Sequence, residues 1–179
     1  MKYILIIFLF AFCNKSISQI PQPNTHIPNN FINKFSGTWQ WVSSSDTMIL
    51  KVAKVQYYYS EVQQSSEDLL LGCHKYIKNG TLLESSIERY DSVISNAPKR
   101  NTIYCWNMDD MDSSLVEGIF KDITKNKRGE LKLTYLNVNP PQLVWELKNT
   151  RGLSVTLPGD PPFDFNFTLP RYMILTKIQ

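Results

Sequence analysis

Glycine is scarce in this chain. The seven glycines among 179 residues all stand apart from one another. That excludes the clustered glycines whose backbone N–H groups cradle a phosphate, so neither a mononucleotide nor a dinucleotide loop is present. Histidine is scarcer still: only His26 and His74 occur. A zinc site needs more ligands than these and the few cysteines offer, so no metal is expected. Three cysteines, Cys13, Cys73 and Cys105, are too few for a disulfide scaffold. No Gly-x-Ser-x-Gly elbow appears. Only His74 lies where a strand is expected, so it alone could serve as the base for a nucleophile. Asp109, Asp110 and Asp112 cluster, but Met111 interrupts them, and the glycine and distant Glu of a calcium loop are missing. They read as a solvated loop. The expectation is a protein without a catalytic site, a metal or a cofactor.

Long apolar runs are also missing, except at the start. Lys2 precedes an unbroken apolar stretch from Ile4 to Phe12, and Ser16-Ile17-Ser18 follows. A basic residue, a short apolar core and small residues before a cut are the three parts of a secretory signal. Cleavage is expected between Ser18 and Gln19, delivering the protein to the periplasm or outside the cell. The stretch is well short of the ~20 apolar residues that span a bilayer, so no stable anchor remains after cleavage. Acylation at Cys13 would want a small residue just before it, and Phe12 stands there.

Neither sign of charge dominates. Lys2 and Lys15 fall in the signal, so 17 of the 19 basic residues remain against 16 acidic ones. Such near-neutrality gives no electrostatic reason to expect a nucleic-acid partner. Residues 19–30 hold Pro21, Pro23 and Pro28 and read as a linker. Residues 31–179 then form one domain's worth of chain.

What is present is a series of short alternating strands. They run over Gly37 to Ser43, Thr47 to Tyr59, Leu69 to Lys78, Leu83 to Val93, Thr102 to Asn107, Leu115 to Thr124, Glu130 to Leu136, Gln142 to Lys148 and Tyr172 to Ile178. Asn79-Gly80 predicts a tight hairpin, because a two-residue turn of this kind needs φ > 0 at both positions. Counting back from it pairs Lys78 with Thr81, Ile77 with Leu82, Tyr76 with Leu83, and Lys75 with Glu84. The last is an opposite-charge pair. With no long helix in the pattern, a mainly all-β meander barrel of about eight or nine antiparallel strands is expected, since closure removes exposed edges. In a simple meander the strand from Leu83 would separate those of Cys73 and Cys105, too far apart for a disulfide.

The segment Asn30-Phe31-Ile32-Asn33-Lys34-Phe35-Ser36-Gly37-Thr38-Trp39 resembles the opening of a lipocalin-type barrel. The resemblance implies that Gly37 turns the chain into the first strand and that Trp39 plugs the closed end. It also implies a basic residue from the last strand region, Arg171 or Lys177, over that ring. A longer resemblance runs through Ser36-Gly37-Thr38-Trp39, Asp46-Thr47, His74 to Gly80, Gly118-Ile119-Phe120, Phe167-Thr168-Leu169-Pro170 and Leu175-Thr176-Lys177. These are similar to a family of small exported bacterial proteins, a domain of unknown function. It implies no activity and no catalytic residue.

Aromatic residues are the one enriched feature, with 4 Trp, 9 Tyr and 9 Phe. Trp41, Tyr104, Trp106 and Trp145 each lie on a strand and offer a rigid apolar surface, which makes them the candidate ligand contacts of a lumen. Two functions therefore stand open. One is a barrel that holds a small apolar molecule inside. The other is a non-enzymatic structural or interaction protein of the cell envelope, with a filled barrel and an active surface.

Overall fold

The structure, a computed structural model, describes residues 24–58, 66–95, 101–106, 113–150, 159 and 164–179. The segment read as a signal, with Cys13, most of the segment read as a linker, and Asp109, Asp110 and Asp112 lie outside the described residues. The chain divides into two units. In the small one, Met1–His26 with Tyr58–Ser66, the Ser66 amide donates to Thr25 O at 2.9 Å, and His26 Nδ1 lies 3.0 Å from Ser66 Oγ. The large unit, Ile27–Tyr57 with Glu67–Gln179, carries the barrel.

The strands are β1 (His26–Ile27), β2 (Gly37–Ser43), β3 (Asp46–Tyr58), β4 (Ser66–Lys78), β5 (Thr81–Ser85), β6 (Ile103–Trp106), β7 (Leu115–Asp122), β8 (Lys127–Leu136), β9 (Gln142–Asn149) and β10 (Tyr172–Lys177). Eight of them close in the order β4-β3-β2-β10-β9-β8-β7-β6, with β6 returning to β4. The protein is a meander antiparallel barrel, as the alternating pattern predicts. β5 pairs with β4 outside the ring.

Alternation sets which side chains point inward. Trp39, Met48, Leu50, Leu70, Cys105, Val116, Phe120, Leu133, Leu143, Trp145 and Leu175 pack in one continuous cluster. A five-residue 3₁₀ helix, Phe31–Phe35, enters one end of it through Ile32 and Phe35. Phe167 and Leu169 join the same cluster from the segment that leads into β10. That segment is latched by the buried Asp122 carboxylate, which accepts from the Thr168 amide at 2.7 Å and the Thr168 hydroxyl at 3.0 Å.

Three expectations need correction. The strand read over Leu83 to Val93 ends at Ser85. A 3₁₀ turn, Ile87–Arg89, and a short helix α1, Tyr90–Ser95, follow it. Ser86 turns the chain because its amide donates to His74 O at 2.8 Å while its hydroxyl accepts from the His74 amide at 3.0 Å.

The hairpin at Asn79-Gly80, whose φ values are 50° and 75°, pairs Lys78 with Thr81 and Ile77 with Leu82 as read. Beyond that a bulge shifts the register, so Tyr76 faces Glu84 and Lys75 faces Ser85. Glu84 thereby lands on the inner face beside His74, instead of pairing with Lys75 outside.

The free thiols Cys73 and Cys105 are kept apart for a different reason than an intervening strand. β6 pairs directly with β4, Leu70 opposite Cys105. Cys105 belongs to the barrel core, whereas Cys73 packs with Leu69 and Leu71 in a second cluster on the other face.

Candidate functional site

The four aromatic residues expected to share a lumen divide between the two faces of the barrel wall. Trp145 is fully buried in the core, its ring 5.4 Å from Phe120. Trp41 is half-buried and packs against the same core. Tyr104 and Trp106 instead face outward, because alternation turns Ile103 and Cys105 to the inside. There they stack edge to face at 5.5 Å, and Tyr104 meets Tyr57 in the same way at 5.9 Å. Val55 and Tyr90 pack against the same outer cluster, with Lys51 over the Tyr90 ring at 5.4 Å. Burial, Glu67 and the neighbouring Tyr57 push the Tyr104 phenol up to about 12.

Trp39 is buried and donates its indole N–H to Phe35 O at 2.8 Å. Lys177 Nζ lies over its ring at 5.3 Å, within cation–π range. Arg171 takes no part there: its guanidinium donates to Phe165 O at 2.7 Å. Gly37 adopts φ +135°, and a Cβ on it would stand 2.4 Å from Gln179 O. A side chain at Gly37 would thus displace the chain end that donates and accepts bonds at Thr38.

No motif in the sequence sets a partner beside His74. The structure supplies one for each ring nitrogen. His74 Nε2 lies 2.7 Å from Glu84 Oε1, and Nδ1 lies 2.8 Å from Thr102 Oγ1. Thr102 Oγ1 lies 3.0 Å from Ser86 Oγ. The other Glu84 oxygen accepts from the Ile123 amide, the Thr124 amide and the Thr124 hydroxyl at 3.2, 3.0 and 2.9 Å. Burial alone would raise the Glu84 carboxyl, but the hydrogen bond and charge of His74, with the Thr124 bonds, hold it below its ordinary value. In a row of acid, imidazole and hydroxyl, the acid can orient the imidazole, which can then take the hydroxyl's proton. Here, however, His74 and Ser86 are fully buried and Thr102 and Glu84 nearly so. The network joins β4, the end of β5, the start of β6 and the β7–β8 turn.

One signal for the turn was available. Ser85-Ser86-Ile87-Glu88 carries the Ser-x-x-Glu spacing of a helix start. The residue before the 3₁₀ turn is Ser86, which makes no side-chain capping bond, and Ser85 Oγ donates instead to the Glu88 carboxylate at 2.7 Å. Among the described residues no group of three or more His, Cys, Asp and Glu could hold a metal ion.

An open cleft of about 330 Å³ lies on the outer wall, lined by Asn101, Thr102, Tyr104, Ile119, Lys121 and Arg128. It is the outer aromatic cluster's neighbour through Tyr104. Sequence reasoning missed it because strand pairing, not sequence spacing, brings its charges together.

Among known families, one described as a family of unknown function (DUF6705) matches residues 1–178. No curated protein and no solved structure matches the chain.

Proposed function

The chain belongs to that family of unknown function, which transmits no activity, and we propose on the geometry alone that it is an exported, non-enzymatic barrel acting through its outer surface in the cell envelope. The observation that carries this reading is the occupied interior. Trp39, Met48, Leu50, Phe120, Leu133 and Trp145 fill it side by side, each at 1% exposure or less. Ile32 and Phe35, and Phe167 and Leu169, pack onto the same core from the two flanking segments. Close-packed side chains leave a ligand nothing to occupy without prising the strands apart. The other part of the reading is export, supported by Lys2, the apolar run and Ser16-x-Ser18.

Absence of catalysis is supported by the burial of the one imidazole with acid and hydroxyl partners. A general base must reach the proton that it removes. Incubation with ester and glycoside panels tests this: no turnover is expected. Turnover abolished by His74→Ala, in a variant that still folds, would overturn it. N-terminal sequencing of the exported product is expected to begin at Gln19. A product beginning at an acylated Cys13 would replace the soluble reading with a lipid-anchored one.

A further inference from the structure

The outward faces of β7, β8 and β9 follow a charge rule with one exception. Glu117 stands opposite Lys132, Lys132 opposite Glu146, and Glu130 opposite Lys148. Each pair joins opposite signs, which favours the sheet. Lys121 stands opposite Arg128. Like charges directly across a ladder repel. Both side chains are exposed, and among the described residues neither makes an ion pair with a carboxylate.

This one frustrated pair lines the open cleft. The cleft's other walls are fixed. The Lys121 amide donates to Thr102 O at 2.8 Å, tying β7 to the start of β6. Asn101 donates one amide N–H to Ile103 O at 3.0 Å and retains a second donor. Tyr104 is held by its edge contacts with Tyr57 and Trp106, and its phenol stays protonated at neutral pH. Ile119 completes an apolar floor. The volume, about 330 Å³, is that of a small-ligand site.

We propose that this cleft binds a small ring-bearing organic anion, with its anionic group between Lys121 and Arg128 and its ring against Tyr104 and Ile119. A planar guanidinium suits a carboxylate, sulfonate or phosphate, and Lys121 adds a second charge. The anion neutralises the repulsion that the empty pair carries. The inference deepens the outer-surface reading and rests on it.

The test titrates the folded full chain with naphthalene-2-sulfonate by calorimetry at low salt, with 2-naphthol and inorganic sulfate as controls. Saturable one-site binding is expected for the sulfonate, at least tenfold tighter than for either control. Lys121→Gln with Arg128→Gln should weaken it about tenfold or more, because two charge-assisted contacts are lost. Tyr104→Leu should weaken the sulfonate and leave inorganic sulfate unchanged.

A ligand-free readout is independent of any probe. Arg128→Glu turns the repulsive pair into an attractive one, so its melting temperature should rise while sulfonate binding is lost. No saturable binding up to millimolar sulfonate overturns the site, as does equal affinity in the double glutamine variant. Either failure leaves the filled interior intact. Binding that perturbs the Trp39 or Trp145 indole would instead refute the filled interior.

Discussion

Trp39 and Trp145 are both fully buried, yet the first donates to Phe35 O at 2.8 Å and the second has no acceptor for its indole N–H. A buried donor left unpaired costs ~1–3 kcal/mol. Replacing either Trp by Phe opens a cavity, but Trp145→Phe also removes an unsatisfied group, whereas Trp39→Phe removes a made bond. Urea unfolding should therefore find Trp39→Phe the more destabilised of the two by ~1–3 kcal/mol. Equal losses would show that the Trp145 N–H is satisfied in solution.

Glu84 gives a pH dependence of known sign. The His74 hydrogen bond and charge and the Thr124 bonds outweigh burial and hold its carboxyl below its ordinary value in the folded state, so its stabilisation is present above that ordinary value and fades as pH falls through the lower folded one. Glu84→Gln keeps the shape and one acceptor for His74. Melting temperatures measured from pH 7 down to pH 3 should drop more steeply for wild type than for the variant. Parallel curves would remove Glu84 as a source of acid sensitivity. The sequence placed Glu84 outside, opposite Lys75, because a hairpin counted from its turn alternates strictly. A one-residue bulge reverses every face beyond it, and nothing in Leu82-Leu83-Glu84 announces one.

At the scale of elements, the strands were legible and their interruptions were not. Alternating Trp39 and Trp41, Leu131 and Leu133, and Leu143, Trp145 and Leu147 mark inward faces, and the structure places them there. β-branched and apolar residues in Leu83 to Val93 read equally well as strand. The deciding contact is Ser86 with His74, which only the fold supplies.

The turn into β2 yields a prediction. A Cβ at Gly37 would strike Gln179 O, and the residue needs φ +135°, while Gly80 at φ +75° faces open space. Gly80→Ala should cost ~1–2 kcal/mol from the left-handed backbone alone. Gly37→Ala should cost clearly more, in equilibrium unfolding, because steric displacement of the chain end adds to the strain. Similar costs would show that the C-terminus yields freely there.

For the whole molecule, closure of the barrel was legible because nine short strand patterns with no long helix leave few other ways to cover edges. The state of its interior was not. Periodicity says which residues point inward, but not whether their volumes fill the space between them. Nor could it separate Tyr104 and Trp106 from Trp145, since the phase of a short strand is set by its neighbours. The account's central claim is an interior that is occupied, with chemistry displaced to the outer wall.

The most direct measurement is a ¹⁵N-indole NMR titration of the folded chain with palmitate and with naphthalene-2-sulfonate. The account predicts that the Trp39 and Trp145 indole signals stay still in both titrations, and that only the sulfonate moves the signal of Trp106, next to Tyr104. A saturable shift of Trp39 or Trp145 with palmitate would contradict it.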